Sequence, residues 1–144
     1  MEINGLPLHP LVVHAAVVFG PLGALAGVAY AVVPAWRDRL RTPMAVLAVV
    51  AGVAVVAAYL SGDSFLESRP ELGQLPDVRT HEEGAGPTLW ATLAFVIVAV
   101  VTARSHPREG VWRVALPVLL GIASSATLVL VVMTGDSGAR AVWG

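Results

Sequence analysis

The chain has no cysteine and no lysine, and only 13% of its residues are charged. The missing cysteine excludes disulfides, thiolate zinc sites, iron–sulfur ligation and covalent haem attachment. A soluble domain carries about 25% charged residues, so the deficit is too deep for a surface facing water on all sides. Net charge is −1, which leaves no basic field to recruit nucleic acid. Walker loops, dinucleotide fingerprints, H-E-x-x-H and G-x-S-x-G are all absent from the sequence.

Apolar residues make up 56% of the chain, and they gather in four runs: Leu11–Val33, Met44–Leu60, Leu89–Ala103 and Val111–Met133. A span needs about 20 such residues, with a lower limit near 17. The first and fourth runs meet this directly, while the second and third borrow from their flanks. Each run is apolar all round, as lipid contact or complete burial demands. Apart from Arg113 at the start of the fourth, no Asp, Glu, Lys or Arg interrupts them. Proton relays, ion pores and coupled transporters place such groups near the midplane, so the sequence argues against them. These runs predict an all-α, polytopic four-helix membrane bundle forming one domain over 1–144. Its helices are expected near 10–34, 43–61, 87–104 and 111–134, with an acidic loop over 61–86. No basic segment precedes the first run, which is therefore read as a retained span rather than a cleavable leader.

Orientation follows from arginine. Arg37, Arg39, Arg41, Arg104, Arg108 and Arg113 lie by the two short connections, and only Arg69, Arg79 and Arg140 lie opposite. The positive-inside rule then places the short connections in the cytoplasm of a cell-membrane protein, with both termini and the acidic loop outside. Trp36 and Trp112 on one side, and Tyr59, Trp90 and Trp143 on the other, form the expected aromatic belts.

Two segments resemble each other. Ser61-Gly62-Asp63-Ser64 ends the second run and Thr134-Gly135-Asp136-Ser137 ends the fourth. In that register Leu47 falls on Leu120, and His9 falls within one residue of His81. The bundle is therefore expected to consist of two related helical hairpins packed about an axis along the membrane normal. Gly62 and Gly135 are expected to end their helices as left-handed caps, with Asp63 and Asp136 bonding the freed backbone groups. Gly20, Gly23 and Gly27 form a row of small residues suited to close helix packing.

Chemistry falls to the four histidines. His106 is read as a solvated residue of the third connection. His14 lies about one turn inside the first span, where an ionisable side chain is costly. His9 and His81 lie at the same end. His14 and His81, with His9 as substitute, could ligate b-type haem from both axial sides. The trio of His9, His14 and His81 could instead hold a metal ion. The five-residue spacing of His9 and His14 puts their imidazoles on different faces of a helix, unlike a metalloprotease pair. A third alternative is an accessory subunit with no cofactor, binding partners through its glycine faces and acidic loop. Beyond the lipid bilayer, the partners expected are a redox protein or further copies of the chain.

The segment L-P-L-H-P-L-V-V-H, Leu6–His14, leads directly into the first run. With Ser61-Gly62 and the ending T-G-D-S-G-A-R-A-V-W-G, it resembles the four-helix membrane proteins grouped as domain of unknown function 2231. Relatives often carry an aromatic residue and a proline where Ala15 and Ala16 follow the second histidine. The resemblance covers nearly the whole chain but implies no established activity. Some members continue into a Rieske-type iron–sulfur domain, which implies redox traffic at the outer surface.

Overall fold

A computed structural model describes residues 2–3, 6–106 and 109–144. Helix α1 spans Leu8–Val32, α2 Arg37–Glu67, α3 Pro76–Arg104 and α4 Trp112–Trp143. Ahead of α1, Glu2–Ile3 pairs antiparallel with Leu6–Pro7. Consecutive helices run in opposite directions. Helix α1 packs on α2 and α4, α2 on α3, and α3 on α4, while α1 scarcely touches α3. The result is a four-cornered, up-down-up-down bundle. All four helices are long and apolar enough to cross a membrane.

Each helix buries a stripe whose members alternate four and three residues apart. These are Ala16, Gly20, Gly23, Gly27 and Tyr30 on α1, and Met44, Ala48, Ala51 and Val55 on α2. On α3 they are Thr88, Thr92, Phe95, Ala99 and Thr102, and on α4 Pro117, Leu120, Ser124, Thr127 and Val131. That 3.5-residue period is the seam of a left-handed bundle packed knobs into holes. The stripe is built mostly from small and hydroxyl residues around Met44, Phe95 and Leu120, and the outward faces carry Leu22, Val53, Ile97, Ile122 and Val132, all exposed. An exterior more apolar than the interior suits lipid, where small residues let backbones approach. A Cβ on Gly23 would lie 3.3 Å from the Leu47 backbone, one on Gly20 3.0 Å from Val131, and one on Gly27 2.9 Å from Phe95.

The helices are longer than the apolar runs. At 1.5 Å rise per residue, α2 and α4 reach about 45 Å, against about 30 Å of hydrocarbon. The expected acidic loop is therefore largely helix. Helix α2 continues to Glu67 and α3 starts at Pro76, leaving a short connection with one 3-10 turn at Leu72–Gln74. Hydropathy registers where lipid stops, not where the backbone stops being helical. The breakers are Pro70, which disfavours helix at the residue before it, and Pro76, which opens α3 at a position where a missing N–H costs nothing. The same reasoning moves the start of α2 from 43 to Arg37, with Pro43 inside it.

Gly62 and Gly135 do not cap their helices, and Asp63 and Asp136 bond no freed ends. All four lie within continuous helix. Gly110 is the described glycine with positive φ, at 71°. Gly62 and Gly135 serve close approach instead: their added Cβ atoms would meet the His9 ring at 3.1 Å and Val17 at 3.3 Å. Asp136 forms an exposed ion pair with Arg140, one turn on, at 2.9 Å, and Asp63 is exposed.

Candidate functional site

The start of α1, the end of α2, the start of α3 and the end of α4 meet at one end of the bundle, and there His9 and His81 come together. Their ring centroids are 6.2 Å apart and their planes inclined by 70°. His9 Nδ1 donates to Ala58 O at 3.0 Å, with Ser61 Oγ at 3.2 Å, while the Ser61 hydroxyl donates to Ala58 O. His81 Nδ1 donates to Thr134 O at 2.8 Å, and Ser137 donates to the same carbonyl. Each imidazole lies against a glycine, Gly62 for His9 and Gly138 for His81. Ser61-Gly62 beside His9 and Ser137-Gly138 beside His81 thus occupy matching places, and Thr134 supplies to His81 the carbonyl that Ala58 supplies to His9.

A carbonyl can only accept, so each Nδ1 carries the proton, and in the neutral ring Nε2 keeps a bare lone pair. No described residue bonds the Nε2 of His9 or of His81. A metal-binding histidine is held in this way, with its other nitrogen donating to a carbonyl that fixes tautomer and ring orientation. Phe65 stacks on the His9 ring at 6.0 Å, and the Arg69 guanidinium covers Phe65 at 4.9 Å. Beneath His81, Thr134 Oγ1 and Thr88 Oγ1 are 2.7 Å apart, and Gly84 leaves room for them: a Cβ there would come within 2.8 Å of Thr134 Oγ1.

His14 does not join them. It is exposed, and its Nδ1 returns to Pro10 O of its own helix at 2.6 Å. Of the two expected partners of His81, it is the substitute, His9, that lies beside it, because five residues along a helix turn the His9 and His14 imidazoles to different faces. For the same reason His9, His14 and His81 do not converge. Among the described residues no group of three or more His, Asp or Glu could hold a metal ion.

The opposite end holds a cluster missing from the sequence reading. His106, far from being a free loop residue, has a side chain only 18% exposed. Its Nε2 donates to Asp38 Oδ1 at 2.7 Å, and its Nδ1 accepts from the hydroxyl of buried Tyr30 at 2.9 Å. Arg37 Nε and Nη2 donate to Tyr30 O and Ala31 O, both at 3.1 Å, covering carbonyls left open at the end of α1. The only signal in the sequence was Tyr30, a polar-tipped residue in register with the glycine row. Arg108, counted in the orientation argument, lies outside the described residues.

Four apolar helices, an inside-out polarity and ionisable groups confined to the two ends define a multi-pass integral membrane protein. The chain belongs to the family described as predicted membrane protein (DUF2231), whose model matches residues 5–144. Neither the curated proteins nor the solved structures give a match.

Proposed function

We propose that this protein is a membrane electron-transfer subunit that holds a b-type haem through His9 and His81. The observation that carries the reading is the pair of imidazoles 6.2 Å apart, each fixed through Nδ1 and each with an Nε2 that no described residue bonds. The donor set suits haem iron, which takes two axial ligands, better than a lone divalent ion, which needs three or four protein ligands. When bound, such a group would supply one-electron chemistry. His9 and His81 would bind it. Ala58 and Thr134 would hold the two rings in the ligating tautomer, and Phe65 would limit access of water to His9. The arginine distribution supports placing this end on the outer face of the cell membrane, within reach of a redox partner there or of another copy of the chain.

One observation favours the cofactor-free accessory reading. Each imidazole ties neighbouring helices, α1 to α2 and α3 to α4, and would brace the bundle with nothing bound. The absorption spectrum of detergent-purified protein, made with ample haem, separates the two. A Soret band with sharp α and β bands after dithionite supports the haem subunit. A featureless spectrum leaves the accessory reading.

A further inference from the structure

At the end opposite the histidine pair, α1 and α4 line an apolar groove of about 680 Å³ open to the surroundings. Ala31, Val118, Gly121 and Ser125 lie along it, with Arg37 and Arg113 at its mouth. We infer that this groove binds a phospholipid of net negative charge, its phosphate between the two guanidinium groups and one acyl chain along the groove.

The charge argument is specific to this mouth. Arg37 is already immobilised by its bonds to Tyr30 O and Ala31 O, and no described residue bonds its Nη1. Its ring neighbour Tyr30, 5.7 Å from the guanidinium carbon, is fixed in turn by His106. Arg113, on the first turn of α4, is exposed, and its side chain has no hydrogen-bond or ion-pair partner among the described residues. The adjacent acid, Asp38, is engaged by His106. Two cations from different helices thus face one opening, and a phosphate there would meet an Arg fork already held in place. Basic pockets between membrane helices recognise anionic headgroups on this basis.

The groove's length fits a chain rather than a headgroup alone. From Arg113 to Ser125 the helix rises about 18 Å, slightly more than half of an about 30 Å hydrocarbon core. Its floor is low because Gly121 has no side chain and faces Ala31, whose Cβ lies 3.2 Å from where a Gly121 Cβ would stand. The site is independent of any cofactor at the other end.

The test is native mass spectrometry of the detergent-purified chain titrated with dioctanoyl phosphatidylglycerol, dioctanoyl phosphatidylcholine and inorganic phosphate. Phosphatidylglycerol should be retained, and the other two should not. Arg113→Gln should weaken its retention about five-fold, and Arg113→Lys should weaken it less. Val118→Trp should also weaken it by filling the groove. Val118 is 54% exposed, so its enlargement leaves the core intact, and an unchanged helical circular dichroism spectrum would verify this. Equal retention of phosphatidylcholine, phosphate binding that depends on Arg113 to the same degree, or indifference to both Arg113→Gln and Val118→Trp would each overturn the inference.

Discussion

The two ends of the bundle each centre on histidine, and they use it in opposite ways. At the Tyr30 end both nitrogens of His106 are engaged, one by Asp38 and one by Tyr30. At the other end His9 and His81 each engage one nitrogen with a main-chain carbonyl. An imidazole satisfied on both sides is a tie between elements, with nothing left to offer a ligand. One satisfied on a single side is oriented and still has a lone pair to give. The count of occupied nitrogens sets His106 apart from His9 and His81; His14 also engages a single carbonyl, but one of its own helix, and it is its exposed position that sets it apart.

Four substitutions, with a fifth as control, would break or sharpen that contrast. The largest effect is expected at the histidine pair itself. Gly138→Val places a Cβ about 2.9 Å from His81 Cε1 and Nδ1, so the ring must leave its carbonyl. The overpacking should cost about 1–3 kcal/mol, seen as a lower thermal midpoint of the detergent-solubilised protein. Gly73→Val, with nothing within 4 Å, is the control. If the two behave alike, His81 is not seated against α4. At the other end, His106→Ala removes the partner of a Tyr30 hydroxyl that is 2% exposed as a residue. An orphaned buried donor costs about 1–3 kcal/mol, and a loss near zero would show that His106 is not a tie.

Asp38→Asn should matter less, at most about 1 kcal/mol, because the Asp38 side chain is 90% exposed and its ion pair is screened by water. A larger loss, measured in the same thermal assay, would mean that the Asp38–His106 contact is shielded. The smallest effect belongs to His14→Ala. His14 is exposed and bonds only its own helix, so the melting midpoint should stay unchanged. A clear drop would place His14 inside an interface.

Much of the fold was legible in the sequence because lipid imposes one demand, apolar residues all round about 20 positions. The four spans and the glycine row of α1 followed from that demand. The helix ends did not, since 61–67 and 76–86 are polar yet remain helical beyond the apolar layer. The seam was hidden for a related reason: hydropathy alone does not separate an Ala, Gly, Ser and Thr interior from a Val and Leu exterior when both faces score as apolar. At the site, the sequence offers His14 first and His9 as substitute for the partner of His81, because intramembrane depth is legible in a sequence while the helical phase that faces His81 is fixed only by packing. The Tyr30–His106–Asp38 cluster could not be seen, since residues 76 positions apart meet only once α1 and α3 are placed.

The account turns on which histidines form the pair, and the most direct measurement is haem content per protein, read from the dithionite-reduced α band, for His9→Ala and His14→Ala purified side by side with the wild-type chain. The account predicts a wild-type band that is lost in His9→Ala and kept in His14→Ala. A band lost in His14→Ala and kept in His9→Ala would contradict it, and so would no band in the wild-type chain.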